Sequence, residues 1–212
     1  MAKVLIRAAE KRVTLSGLSW DAYAQVRQAL GSSRSARLTY DQGRLEITMP
    51  LEEHETAAEW IALLIRHWVR ATGRKLKTLG STTLERPDLN RGAEPDKAFY
   101  IQNYDKVAGK MVDLQRDPPP DLVLEVDITH TDLDKDQLYA SLGIPEFWRF
   151  DGERIRFLVL KGGKYQEFAY SPTFPVLQKE DIYQFLQACF VDEIEAEQQI
   201  VGSIQLQLER DA

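Results

Sequence analysis

The chain has 212 residues, of which 43% are apolar, 9% aromatic and 28% charged. These are globular proportions at the length of one domain, which excludes a collagen-like, low-complexity or largely disordered chain. The formal net charge of −6 excludes a uniformly basic nucleic-acid binder, but the charge is uneven: residues 180–212 hold eight acids and one base. The rest of the chain therefore sums to +1, and residues 66–77 carry Arg66, Arg70, Arg74, Lys75 and Lys77 with no acid among them. Such a strip is compatible with a phosphate ligand, although a solvated helix face is the simpler reading of charge alone.

The single cysteine, Cys189, cannot form an intramolecular disulfide and excludes any zinc site that needs two thiolates. In its context, QFLQACF, it reads as a small buried hydrophobe. The N-terminal apolar patch is too short for a signal-peptide core, and the stretch WIALLI is closed after six residues by Arg66. No membrane span and a reducing cytoplasm are the expectations.

In chain order, residues 20–30 read as a short helix capped by Ser19 and stopped by Gly31. Residues 36–49 read as a β-hairpin around Asp41-Gln42-Gly43, with Leu45, Ile47 and Met49 on one face and Arg44, Glu46 and Thr48 on the other. Ala57, Ile61, Leu64, Ile65 and Trp68 fall at helical spacing, so 52–71 is the clearest predicted helix. A strand over 75–84, a loop RPDLNRGAEPD and a short strand over 97–101 follow. After three prolines, 121–128 is a predicted strand with Leu122, Leu124, Val126 and Ile128 on one face. Asp121, Val123, Glu125 and Asp127 share its other face. A helix over 132–142 precedes strands over 146–151, 154–160 and 164–170, joined by Asp151-Gly152 and Gly162-Gly163 turns. Helices over 179–190 and 192–209 close the chain. The order indicates an α/β (mixed α+β) domain over 1–190 with an acidic helical extension over 191–212.

The chain lacks a P-loop, a GxGxxG turn, a GxSxG elbow and an HExxH pair, since Ala58 stands where the second histidine would fall after His54-Glu55. What remains is carboxylates in unusual places. Two acids on one side of an apolar strand, Glu125 and Asp127, are costly to bury unpaired. Either they meet solvent or they bind something cationic. Asp96 follows a proline ahead of a strand, Glu46 lies on the polar face of the hairpin, and Lys135 follows Glu125 by ten residues. Hard cations such as Mg²⁺ take one or two carboxylates, waters and phosphate oxygens, and a nearby lysine can stabilise phosphate charge. Asp96, Glu125 and Lys135 would therefore suffice for metal-assisted phosphodiester hydrolysis. Ion pairing with strand neighbours is the bland alternative. His54 reads as a packing or hydrogen-bonding histidine, and Trp60, Trp68 and Trp148 as core. Thr129 and His130 end the strand beside the candidate cleft.

The ordered strings RLEITMP, GAEPDKAFYI, PPDLVLEVDIT and DLDKDQLYASLGIPEFWRFD resemble the Uma family of restriction-endonuclease-like proteins, within the PD-(D/E)XK nuclease superfamily. The resemblance runs from about Leu15 to Leu186. It implies a restriction-endonuclease-like core, with a central mixed sheet flanked by helices, an N-terminal hairpin and C-terminal helices. It implies Mg²⁺ or Mn²⁺ held by Asp96 and Glu125, with the main-chain carbonyl of Val126 assisting. The lysine that usually follows the glutamate by two residues is replaced by Asp127. The resemblance shifts its role to Lys135, four residues before Tyr139. Glu46 matches an early acid, as an extra ligand or a water-orienting base. Asp127 would either join the metal ligands or hold Lys135. The implied activity is a metal-dependent endonuclease acting on DNA, with a homodimer expected for two-strand cleavage. The alternative is a non-cutting module of the same fold that binds nucleic acid or protein.

Overall fold

The structure is a computed structural model that describes residues 11–31, 34–80, 82–127 and 133–211. Two sheets organise it. The first comprises β1 (Lys11–Ser16), β2 (Arg37–Asp41), β3 (Arg44–Met49), β5 (Leu84–Arg86) and β6 (Arg91–Ala93), in the antiparallel order β1-β3-β2-β6-β5. The second comprises β4 (Lys77–Leu79), β7 (Lys97–Tyr100), β8 (Leu122–Val126), β9 (Glu146–Phe150), β10 (Ile155–Lys161) and β11 (Lys164–Phe168), in the order β11-β10-β9-β8-β7-β4. A short helix, α3 (Tyr104–Val107), lies between β7 and β8, and the sheet is mixed because β8 and β9 run parallel, joined through helix α4 (Lys135–Ser141), while its other pairs are antiparallel. This is the mixed-sheet architecture expected from the sequence.

The hairpin β2–β3 closes through Gln42 and Gly43, both at positive φ (44° and 98°), the twist that two-residue hairpin loops require. Helix α1 (Trp20–Leu30) starts where Ser19 accepts a hydrogen bond from the Ala22 N–H and ends at Gly31, as the sequence predicts. Its Tyr23 joins Leu38, Tyr40 and Leu45 in a small core on one face of the first sheet. Directly opposed residues of antiparallel strands share a face. The register Arg12↔Thr48, Thr14↔Glu46 and Thr39↔Glu46 therefore puts Arg12, Arg37 and Glu46 together on the other face.

Every residue of β8 is buried, as a strand covered on both faces must be. Leu122, Leu124 and Val126 meet Ile61, Leu64 and Ile65 of α2 (Glu52–Ala71), Phe185 of α5 (Lys179–Cys189), and Ile200 and Ile204 of α6 (Glu193–Asp211). Val123 meets Leu138 and Leu142 of α4 on the opposite face. Trp148 is fully buried, and its indole N–H donates to Glu146 (2.6 Å). Cys189 is buried, and burial pushes its thiol up to about 12, so it behaves as a hydrophobe.

Three expectations change. The strand predicted over 75–84 breaks into β4 in one sheet and β5 in the other, because the chain crosses between sheets there. The predicted loop 86–96 contains a short 3₁₀ turn (Pro87–Leu89) and strand β6. Strand β1, not anticipated, forms against β3. Ile128, Thr129 and His130 lie outside the described residues. Among the described residues, no helix is long and apolar enough to cross a membrane.

Candidate active site

The site forms at the C-terminal end of β8, where the two sheets and the start of α2 meet. Strand β8 carries Glu125 on the face toward α4. Asp134 caps α4 by accepting from the Gln137 N–H (2.9 Å), so Lys135 is the first helical residue. Residues four apart lie above one another on a helix, which places Lys135 and Tyr139 over the same spot. Both grip Glu125: Lys135 Nζ lies 2.8 Å from Oε2, and the Tyr139 hydroxyl donates to Oε1. The lysine-to-tyrosine spacing noted in the sequence is thus the pitch of one helical turn closing on one carboxylate.

Asp127 contacts Lys135, as one of its two expected roles requires. Its Oδ1 accepts from Lys135 Nζ (2.6 Å) and its Oδ2 from Arg149 Nε (2.9 Å). Arg149 is the register partner of Glu125 across the parallel β8–β9 pair, and it also reaches Asp136 (3.3 Å). Burial pushes the Asp127 carboxyl up, but the charges of Lys135, Arg149 and Arg12 outweigh burial and hold it below the usual carboxylate range. For Lys135, burial lowers the pKa, and Asp127 and Glu125 more than reverse it, so the ammonium stays charged. Burial and the neighbouring Glu125 raise the Tyr139 hydroxyl well above its ordinary value, so it remains a donor.

Asp96 precedes β7 and sits beside β8. Its Oδ2 accepts from the main-chain N–H of Val126 (2.6 Å) and lies 3.3 Å from His54 Nε2 in the first turn of α2. Arg37, from β2, pairs with Asp96 and with Glu55 (2.6 Å). Glu46 is 1% exposed and pairs with Arg12 (3.5 Å), whose charge is felt at Asp127. Asp96, Glu125, Asp127 and Lys135 therefore come together, and Glu46 joins them from the facing sheet through Arg12. Asp96, Glu125 and Asp127 face three cations, Arg37, Lys135 and Arg149, of which Arg37 is shared with Glu55 and Arg149 with Asp136.

Among the described residues, no three histidine, cysteine, aspartate or glutamate side chains form a metal-binding group. The donors do fit a hard divalent ion in kind and in number. Asp96 and Glu125 are buried carboxylates, and the Asp96 side chain is anchored on the residue that follows Glu125. Mg²⁺ needs only one or two such ligands and fills its octahedron with water and phosphate.

Sequence reasoning did not assign Arg12, Arg37 or Arg149 to the site. Arg149 had a signal, as a lone cation between Trp148 and Phe150 in an apolar strand. Arg37 had one too, since it alternates onto the polar face of the hairpin with Glu46. His54, read as a packing or hydrogen-bonding histidine, lies 3.3 Å from Asp96, and the Tyr139 hydroxyl donates to Glu125. Other buried acids are structural. Glu146 accepts from Trp148, Ser171 and Thr173, and Asp121 caps the Ile101 and Asn103 N–H groups.

No curated protein matches the chain. A solved structure described as "a putative nuclease belonging to DUF820 from Anabaena variabilis ATCC 29413" is similar, with a TM-score of 0.55 and 15% identity. The match covers 79% of this chain and 98% of that one, and at this identity it establishes the fold alone. The Uma2 family, described as "Putative restriction endonuclease", matches residues 20–189. That match runs from the first residue of α1 to the last of α5 and takes in every residue of the site except Arg12: this chain belongs to the Uma2 family.

Proposed function

We propose that this protein is a metal-dependent endonuclease that hydrolyses phosphodiester bonds in DNA. The observation that carries the reading is the convergence of Asp96, Glu125 and Lys135, side chains 9% exposed or less, at the end of one strand. The family's description and that of the similar structure agree with it.

Asp96, Glu125 and the main-chain carbonyl of Val126 would hold Mg²⁺ or Mn²⁺. When bound, such an ion polarises the phosphoryl group and acidifies a water. The protein's own groups do the rest. Lys135 uses two N–H groups on Glu125 and Asp127, and an ammonium has a third to offer a phosphate oxygen. That donor is preset, because Asp127 and Arg149 hold the ammonium in place before substrate arrives. Tyr139 fixes the Glu125 carboxylate, and His54, Arg37 and the Val126 N–H fix Asp96. Glu46, tethered to Arg12, would orient the attacking water.

A second reading, a non-cutting module of the same fold, is favoured by one observation: every carboxylate oxygen of Glu125 and Asp127 already accepts from a protein donor. The test is incubation of pure protein with supercoiled plasmid, linear duplex and single strands in Mg²⁺, Mn²⁺ or EDTA. The nuclease reading expects cleavage in metal and none in EDTA. No cleavage of any substrate, with folded protein and metal present, favours the module.

A further inference from the structure

The basic strip of the sequence is not absorbed by the site above. In the structure it forms an open depression of about 410 Å³ between the C-terminal half of α2 and the edge strand β4, lined by Arg66, Val69, Arg70, Arg74, Leu76 and Thr78. Arg66 and Arg70 are exposed, and neither has an acid within 4 Å among the described residues. Other arginines, among them Arg27, Arg34, Arg86, Arg91, Arg149 and Arg154, each hold a carboxylate, whereas Arg66 and Arg70 share one depression that no acid lines among the described residues. Arg74 is fixed in place: its Nη1 donates to the Thr173 carbonyl (3.0 Å), its Nε to Thr72 (2.9 Å), and its guanidinium stacks on Phe174 (4.8 Å).

Two like charges four apart on a helix repel each other and weaken it. The helix C-terminus offsets one cation. It does not explain three guanidiniums converging on one concavity with a threonine hydroxyl. Guanidinium forks match the geometry of phosphate oxygens, and a concave wall with one sign of charge concentrates an anionic ligand.

We propose that this depression is a phosphate-binding site that anchors the backbone of a nucleic acid away from the reacting centre. The proposal deepens the nuclease reading and rests on it for the choice of ligand. The two sites share one rigid element. His54, which touches Asp96, and Arg70 are sixteen residues apart on α2, about 24 Å at 1.5 Å per residue. That span is roughly seven base-pair steps at 3.4 Å each, so one strand can visit both.

The test is binding of a fluorescently labelled DNA duplex in EDTA, over a series of NaCl concentrations, which reads affinity without cleavage. The double variant Arg66→Gln/Arg70→Gln is compared with wild type and with a charge-matched control, Lys164→Gln/Arg210→Gln. Each lost phosphate contact lowers the slope of log affinity against log salt by about 0.9. The arginine variant should bind at least tenfold more weakly with a slope smaller by about 2, and the control should match wild type. Wild-type affinity and slope in the arginine variant, or equal loss in the control, overturns the proposal. Failure of the nuclease reading looks different: binding stays arginine-dependent while no substrate is cut. Wild type that binds no DNA at all overturns both.

Discussion

At the scale of single residues, Lys135 bears the most on both stability and chemistry. It separates two carboxylates whose side chains are each 4% exposed. Removing one partner of a buried ion pair leaves uncompensated charge and costs about 3–5 kcal/mol. Lys135→Met keeps the stem and removes the charge, so thermal unfolding of this variant should fall by roughly 10 °C. The gap depends on pH with a definite sign. Asp127 has its carboxyl depressed in the folded state, so its contribution is present above the ordinary aspartate pKa of about 3.9 and is lost as pH falls through the lower folded value. Lys135 is raised, so its contribution is full below the ordinary lysine pKa of about 10.4 and is lost only as pH rises through the higher folded value. Urea titrations should therefore show a constant gap between wild type and variant from about pH 5 to 9, closing below about pH 4. An unchanged gap at pH 3 would contradict the charge-based account.

At the scale of elements, the site depends on the first sheet, against which helix α1 packs on the face opposite Arg37 and Glu46. Gly92 in β6 is the joint between α1 and that sheet. A Cβ there would lie 2.8 Å from the Tyr23 hydroxyl oxygen and 3.3 Å from its ring carbon. Tyr23 cannot swing away freely, because its ring is fully buried against Tyr40 (4.7 Å between centroids) and its hydroxyl donates to Glu85 (3.0 Å). Gly92→Ala should cost about 1–3 kcal/mol in chemical denaturation, as overpacking of a filled core does. Reversal by the double variant Gly92→Ala/Tyr23→Phe, which removes the clashing oxygen, would locate the strain there; no cost at all would show that the joint yields.

The same scale explains what the sequence could and could not disclose. Helix α1 was legible from its Ser19 cap and Gly31 stop, and α2 from its long apolar stripe. Strands β4, β5 and β6 have three residues each, too few to show alternation, and β4 and β6 pair with strands distant in the chain, β7 and β2. Glu125 and Asp127 were legible as misplaced charge in an apolar strand. Arg37 and Arg149 left only a weak signal as isolated cations, because it takes strand register to bring them to the carboxylates.

At the scale of the whole molecule, charge is segregated. Acidic α6 turns Ala196, Ile200 and Ile204 into the core beneath α2 and α5, while Arg66, Arg70 and Arg74 line one depression beside β4. The cations of the reacting centre are each paired with carboxylates, whereas Arg66 and Arg70 line a depression without an acid among the described residues, where an anionic ligand meets one sign of charge. The central claim is that Glu125 and its partners perform phosphodiester hydrolysis. The most direct measurement is the rate of supercoiled plasmid cleavage in Mg²⁺ by wild type and by Glu125→Gln, which keeps one acceptor oxygen for Lys135, offers an amide N–H to the Tyr139 hydroxyl and removes the charge. Cleavage by wild type with at least a hundredfold loss in a variant that unfolds as one cooperative unit is the expected result; wild-type cleavage by Glu125→Gln would contradict the claim.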